Sequence, residues 1–429
     1  MNERELVLDA LLAITRDGEY SHIVLKNMLD LYQYLDKQKR AFITRVVNGT
    51  LERQIEIDYI ISRFSSVKIQ KMKPVIRTIL RFGVYQLKYM DSVPDSAVCN
   101  EAVKLAEKRG FRGLKGFVNG VLRNVSRNLD HISYPGKEDP VSYLSVKESL
   151  PEWLVKLWLE SYDVETIEKM GEAFLMPEAL TVRFDPGKIT RDALILRLAK
   201  EGVEARKIPG VPCGLYLSGI DYLGALPSFQ EGLFQVQDIS SMQVALLADP
   251  KKGDQVLDVC AAPGGKALHM AELLQGTGHV EARDLSGQKV ELIRENIARS
   301  GLTNIEAVCH DATLPDPDWK EKADILIADL PCSGLGVLGR KPDLKLRMTP
   351  GSAEELAGLQ RRILGVVKDY VKPGGKLLYS TCTIHKKENE ENARWFVEQF
   401  PEYTLIQEEQ RLPGRDVGDG FYIAMFRKE

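Results

Sequence analysis

Apolar residues recur at helical spacing through the first third of the chain, whereas short apolar runs alternate with amphipathic stretches through the last part. "ELVLDALLAI", "HIVLKNMLDLYQYL", "AFITRVVNGTLERQIEIDYIISRF" and "KPVIRTILRFGVYQLKYM" each give a helix one apolar face, and "GLKGFVNGVLRNVSRNL" closes the series. An all-α domain is therefore expected over residues 1–132. "SYPGKEDP" at 133–140, with two prolines and a glycine, reads as a linker. Residues 141–236 mix short helices ("PEWLVKLWLESY", "RDALILRLAKEG") with strand-like pieces ("ALTVRFD", "GLYLSG"), the pattern of a small α+β module.

From residue 237 to 429, strands and helices alternate. "QVLDVC", "HVEARD", "NIEAVCHD", "ADILIADLP" and "GKLLYSTCT" read as strands. "YTLIQEE" and "GFYIAMFRK" follow with no long helix between them. The pattern predicts an α/β, doubly wound sheet whose ligands sit at the carboxyl ends of the strands. The last two strands are expected to pair antiparallel at one edge.

Composition narrows the picture. A chain of 429 residues calls for more than one domain, and 44% hydrophobic with 28% charged residues is ordinary for globular protein. No run approaches the ~20 apolar residues of a membrane span. The charged start lacks a small-residue cleavage site, so a cytoplasmic location is expected. Six cysteines (99, 213, 260, 309, 332, 382) without any C-x-x-C spacing form neither a disulfide framework nor a structural zinc site, and no metal is expected. Nothing in the pattern demands more than a monomer.

The net charge of −3 conceals an asymmetry. Residues 1–131 carry 22 Lys/Arg against 15 Asp/Glu, while the remainder carries 36 against 46. Within 60–127 the count is 14 basic to 4 acidic, which points to a polyanionic partner, most simply nucleic acid.

The first strand of the α/β region runs into "DVCAAPGGKALHMAELL" (258–274). Small residues and glycines there let the backbone approach a ligand where strand turns into helix. A phosphate-binding Walker loop is excluded, because Ala267 follows Gly265-Lys266 and Cys260 stands where the earlier glycine belongs. Asp284 ends the second strand, where an acidic side chain accepts hydrogen bonds from ribose hydroxyls. Asp311 ends the third, within reach of an adenine amino group. The three features together predict a nucleoside cofactor.

Cys332 ends the fourth strand in "DLPCSG", and Cys382 ends the fifth in "YSTCT". If these strands are neighbours, about 5 Å apart, both thiols sit at the mouth of one crevice. A thiolate there suits methylation of cytosine carbon 5, itself a poor nucleophile. Addition of sulfur to carbon 6 makes the base an enamine and pushes electron density onto carbon 5. Asp329, three residues before Cys332, is placed to neutralise charge at ring nitrogen 3. Lys266 is a source of positive charge for the thiolate. Methylation of an exocyclic amine would predict Asn/Asp-Pro-Pro-aromatic at 329–332, where the chain has Asp-Leu-Pro-Cys. The competing class is a non-catalytic RNA-binding or ribosome-assembly protein on the same scaffold, for which two thiols beside a carboxylate have no use.

"DVCAAPGGK", "DLPCSGLGVLGRKPDLKLR" and "YSTCTIHKKENEENARW" resemble the motifs of RNA (cytosine-5)-methyltransferases, and the helical first third resembles the RNA-binding antitermination factor NusB. The combination is similar to the Sun/RsmB-type family of bacterial 16S rRNA (cytosine-C5)-methyltransferases. The resemblance implies a Rossmann-like class I fold using S-adenosyl-L-methionine, preceded by the NusB-like domain and the α+β module, with small-subunit rRNA as partner. It implies Cys382 as nucleophile, Cys332 as the residue assisting product release, and Asp329 as the cytosine-binding acid. Cofactor contacts are implied for Cys260, Ala261, Ala262, Pro263, Gly264, Gly265, Lys266, Asp284, Asp311 and Asp329. "TVRFD" departs from the family's Leu-Arg-Val-Asn-like string: Arg183 is retained but Asp185 replaces the amide, a difference that bears on the details of RNA contact.

Overall fold

The computed structural model describes residues 2–176 and 179–429. The chain divides into two compact units, one of residues 1–176 with 338–347 and the other of residues 177–337 with 348–429.

The first unit is helical. Its centre is the helix Pro74–Tyr89, buried without interruption from Thr78 to Leu87, with Pro74 at the first turn where no N–H is needed. Around it pack Glu3–Thr15, Lys37–Glu52, Gln54–Phe64, Asp95–Lys108 and Lys115–Asn128, their apolar faces forming one core. The periodic stretch 41–64 is not one helix: it breaks at Arg53 (φ −102°, ψ 12°), and Ser149 Oγ accepts the Ile55 N–H at 3.0 Å. Apolar spacing carries across such a break, so periodicity alone does not reveal it. Arg81 is buried in the central helix and forks onto Asp58 with N–O distances of 2.7 and 2.6 Å. The helices Glu152–Leu159 and Val164–Leu175 also belong to this unit.

The second unit holds two sheets. The smaller is antiparallel, of β1 (Leu180–Phe184), β2 (Glu204–Lys207), β3 (Gly214–Ser218) and β4 (Phe234–Val236) in the order β2-β3-β1-β4. Sequence pattern anticipates β1 and β3 only. β2 reads Glu-Ala-Arg-Lys, an exposed edge with no apolar alternation, and β4 is three residues long.

The larger sheet contains β5 (Gln255–Asp258), β6 (His279–Asp284), β7 (Ile305–Cys309), β8 (Ala323–Asp329), β9 (Val371–Thr381), β10 (Tyr403–Arg411) and β11 (Phe421–Lys428). Their order is β10-β11-β9-β8-β5-β6-β7. The five strands β5 to β9 run parallel, and β11 inserts antiparallel between β9 and β10. The expected antiparallel edge pair is present. Apolar clusters on the two faces pack under the helices Gly265–Leu273 and Pro350–Val367, as a sheet buried on both sides requires. Among the described residues no helix is long and apolar enough to cross a membrane.

Lys345, in the short segment that joins the helical unit, is 5% exposed and donates to the Glu52 carbonyl at 2.5 Å. Burial draws its pKa down to about 7, against the charge of Glu52. The native state thus releases a proton near pH 7 that the unfolded chain keeps to its ordinary value of 10.5. The cost of the buried charge is fully present below pH 7 and disappears as pH rises toward 10.5. Between pH 7 and 10, denaturant midpoints for the helical unit should rise in the wild type relative to Lys345→Met. Parallel pH profiles would contradict this burial.

Candidate active site

Strand β5 ends at Asp258, and the chain turns through Val259–Gly264 into the helix Gly265–Leu273. Gly264 caps that helix at φ +104°, a conformation L-residues rarely adopt, and a Cβ there would meet Ile293 Cγ2 at 3.3 Å. The turn brings a carboxylate cluster together: Asp258, Asp284 and Asp329, at the ends of β5, β6 and β8, all act on Cys260. Burial first, and then these charges, raise the Cys260 thiol pKa, so this cysteine stays protonated.

Asp258 is fully buried, and its carboxylate oxygens complete no hydrogen bond within the chain, although the Cys260 N–H lowers its pKa somewhat. Burial and the Asp329 charge nonetheless push it up to about 7. A buried orphan carboxylate is costly unless a ligand meets it, so this crevice fits a ligand that brings positive charge or hydrogen-bond donors. Sequence reasoning missed Asp258; the signal was a carboxylate inside the apolar run "QVLDVC".

Asp284 is 5% exposed, takes the Ser286 N–H at 3.2 Å and has Lys289 at 3.8 Å. Asp311 lies beyond the end of β7, one strand further out. Its Oδ1 accepts the Thr313 hydroxyl (2.7 Å) and N–H (2.9 Å), which hold its pKa below the usual carboxylate range.

Lys266 points from the first turn of its helix onto Asp329, with Nζ 2.7 Å from Oδ2, and its ammonium sits 5.2 Å from the centre of the Phe421 ring. Burial opposes its charge, but Asp329, with Asp258 and Cys382 behind it, outweighs burial and raises its pKa. The other Asp329 oxygen accepts the Ser380 hydroxyl at 2.7 Å.

The two cysteines meet because β8 and β9 pair in parallel with Asp329 opposite Ser380. Beyond the paired residues the loops stay joined: Leu330 N–H donates to Ser380 O (3.1 Å) and Gly336 N–H to Cys382 O (3.1 Å). Gly336 must be glycine, since a Cβ there would fall 2.0 Å from Gly420 O. The sulfurs of Cys332 and Cys382 are 3.4 Å apart. The hydrogen bond with Cys382, in which either sulfur can donate, and then burial raise the Cys332 pKa well above the ordinary value.

Arg183 occupies no surface. It is 0% exposed and donates to Glu272 at 3.0 and 2.7 Å, to Gln237 Oε1 at 2.6 Å and to Gly265 O at 3.3 Å. Arg183 is a strut that ties β1 to the helix bearing Lys266. A strand of alternating sides gave no sign of which face Arg183 takes.

A sheet of this order, with a glycine turn after its first strand and acidic strand ends around it, defines a Rossmann-like methyltransferase. Sequence comparison specifies the family. Residues 245–427 match the 16S rRNA methyltransferase RsmB/F profile, 1–127 the NusB family, and 150–220 the ferredoxin-like domain of RsmF/B-like methyltransferases. The chain is 38% identical over 444 residues to the probable ribosomal RNA small subunit methyltransferase B of Bacillus subtilis (99% of this chain, 98% of the relative). It is 30% identical over 438 residues to the ribosomal RNA small subunit methyltransferase B of Klebsiella pneumoniae (100% and 98%). The crystal structure of PH0851 superposes with a TM-score of 0.84 at 25% identity, covering 100% of this chain and 99% of that one. That of NSun6 from Pyrococcus horikoshii with SFG gives 0.60 at 25% identity, covering 66% and 99%. The chain belongs to the 16S rRNA methyltransferase RsmB/F family.

Removing Arg183 would strand the Glu272 carboxylate in the interior. Arg183→Ala should lower the unfolding free energy of the second unit by about 3–5 kcal/mol, the range for a broken buried pair, as read from urea denaturation. A loss below about 1 kcal/mol, the range of an exposed pair, would contradict the strut.

Proposed function

We propose that the protein transfers a methyl group from S-adenosyl-L-methionine to carbon 5 of a cytosine in small-subunit rRNA, through a covalent bond between Cys382 and carbon 6. The observation that carries the reading is the pair of thiols 3.4 Å apart with a cation on the Cys382 side, since the Lys266 ammonium acts on Cys382. A cation beside one sulfur favours its thiolate. The nucleophile in this reading is Cys382.

The Cys382 thiolate attacks carbon 6, and the ring's π pair moves to make carbon 5 nucleophilic. Asp329 acts as an acid that holds the cytosine edge and passes its proton to nitrogen 3 as charge grows there, and the Lys266 ammonium, 2.7 Å from Oδ2, stabilises the carboxylate left behind. After methylation solvent water takes the carbon 5 proton, the C–H pair re-forms the C5–C6 double bond, and the carbon–sulfur bond breaks with its pair leaving on Cys382 as thiolate. Cys332 assists that breakdown. S-Adenosyl-L-methionine supplies the methyl group, and its sulfonium and ammonium charges suit the crevice of Asp258, Asp284 and Asp329. Residues 260–266 with Asp284 and Asp311 would hold it.

In this reading the functions follow the divisions expected from the sequence, although the helices Glu152–Leu159 and Val164–Leu175 belong to the helical unit. Residues 1–132 bind RNA with their basic stretch, 141–236 help recognise it, and 237–429 perform the transfer in the cytoplasm, as a monomer and without metal.

Incubation with methyl-labelled S-adenosyl-L-methionine and undermethylated small-subunit RNA should place label on cytosine carbon 5. Cys382→Ala should abolish both label and denaturation-resistant RNA attachment. Cys332→Ala should accumulate the attached species. Absence of label from cytosine would sink the reading in favour of an inert RNA-binding scaffold, and an adduct in Cys382→Ala would reverse the cysteine roles.

A further inference from the structure

A second network of buried polar groups lies behind the cysteines. Glu388, in a 3₁₀ turn after Cys382, is 0% exposed, and so are Ser333, Gln360 and Thr383. Its Oε2 accepts the Ser333 N–H at 2.9 Å and the Gln360 amide at 3.0 Å. Its Oε1 accepts the Ser333 hydroxyl, and His385 Nδ1 lies 3.0 Å away. The same Gln360 amide donates to Pro331 O at 2.9 Å, and its own oxygen accepts from Tyr379 (3.0 Å) and Asn392 (2.8 Å). Ser333 also meets Thr383 across 2.7 Å, and Thr383 Oγ1 accepts the Leu335 N–H at 3.2 Å.

The partners of Glu388 sit on both sides of the thiol pair. Pro331 and Ser333 flank Cys332, while Thr383 and His385 follow Cys382. Strand pairing ends at Asp329 and Ser380, so it does not itself fix the residues beyond. Main-chain bonds from Leu330 and Gly336 tie the two ends of the Cys332 turn to the end of β9, and side chains of this network hold Pro331 and Ser333 between them. A carboxylate suits the centre because it accepts several donors without bringing a proton of its own. A buried carboxylate is expensive to desolvate, and this one stays buried because its donors converge on it.

We propose that Glu388 is a positioning residue that clamps the Cys332 turn against the Cys382 turn and thereby fixes the approach of the two sulfurs. The inference deepens the methyltransferase reading: without the clamp Cys332 reaches the Cys382 adduct poorly, and release slows while attack persists.

Two readouts on the full-length chain test it. Diamide oxidises two nearby thiols to a disulfide: each sulfur loses a proton, the pair gives up two electrons, and the azo bond is reduced to a hydrazine. Closure of the Cys332–Cys382 disulfide, followed by peptide mass mapping, reports thiol approach without any RNA. Glu388→Ala should slow closure about tenfold, the scale of a buried donor left without its charged acceptor. Glu388→Gln, which keeps one acceptor oxygen, should recover part of the rate. With undermethylated small-subunit RNA, Glu388→Ala should also accumulate the denaturation-resistant adduct.

Closure at the wild-type rate in folded Glu388→Ala would overturn the clamp. If that variant does not fold, wild-type closure in both Glu388→Gln and Ser333→Ala would overturn it equally. Slowed closure supports the clamp even if no RNA adduct forms in any variant, an outcome that would remove the covalent mechanism alone. Slowed closure with normal adduct turnover would overturn the link to release.

Discussion

The parallel pairing of β8 with β9 brings the turns that carry the two cysteines to one level of the sheet. Neighbouring strands are separated by about 5 Å, and strands buried on both faces are held in register by the side chains packed against each face. With Asp329 opposite Ser380, the chain leaves both strands at the same level of the sheet. Cys332 and Cys382 follow within three residues of that level, and with the hydrogen bonds that join the two turns their sulfurs lie 3.4 Å apart. Slippage of either strand by one residue would turn one cysteine to the other face. The apolar clusters of the two faces, with Leu326, Ala328, Leu377 and Tyr379 on one and Ile325, Ile327 and Leu378 on the other, oppose such slippage.

Electrostatics then distinguishes two chemically identical side chains. Cys332 lies near the negative charge of Glu388 and keeps its proton, while Cys382 lies near the Lys266 ammonium. Lys266 is in turn fixed by Asp329, by the Phe421 ring, and by a helix that Arg183 and Glu272 anchor to the small antiparallel sheet. The small module therefore bears on the site through a buried ion pair.

Much of this was legible in the sequence. The seven strands of the larger sheet, the glycine turn and the facing cysteines follow from apolar runs and from residues at their ends, because a parallel sheet buried on both faces writes itself as continuous hydrophobic segments. The break at Arg53 and strands β2 and β4 were not legible, since a helix kink and short or polar edge strands are set by tertiary partners such as Ser149. The structural role of Arg183 was not legible either. Its burial depends on Glu272, 89 residues away, a pairing that no local pattern encodes. Asp258 and Glu388 escaped for the same reason: what marks them is the presence or absence of partners in space.

The central claim is that Cys382, and not Cys332, bonds to the base. RNA carrying 5-fluorocytidine tests it directly, because fluorine cannot leave carbon 5 as the proton does and the adduct persists after methylation. Incubation with S-adenosyl-L-methionine, digestion, and sequencing of the cross-linked peptide by mass spectrometry should find the base on Cys382, within "LLYSTCTIHK". A base attached to Cys332, within "IADLPCSGLG", would contradict the account.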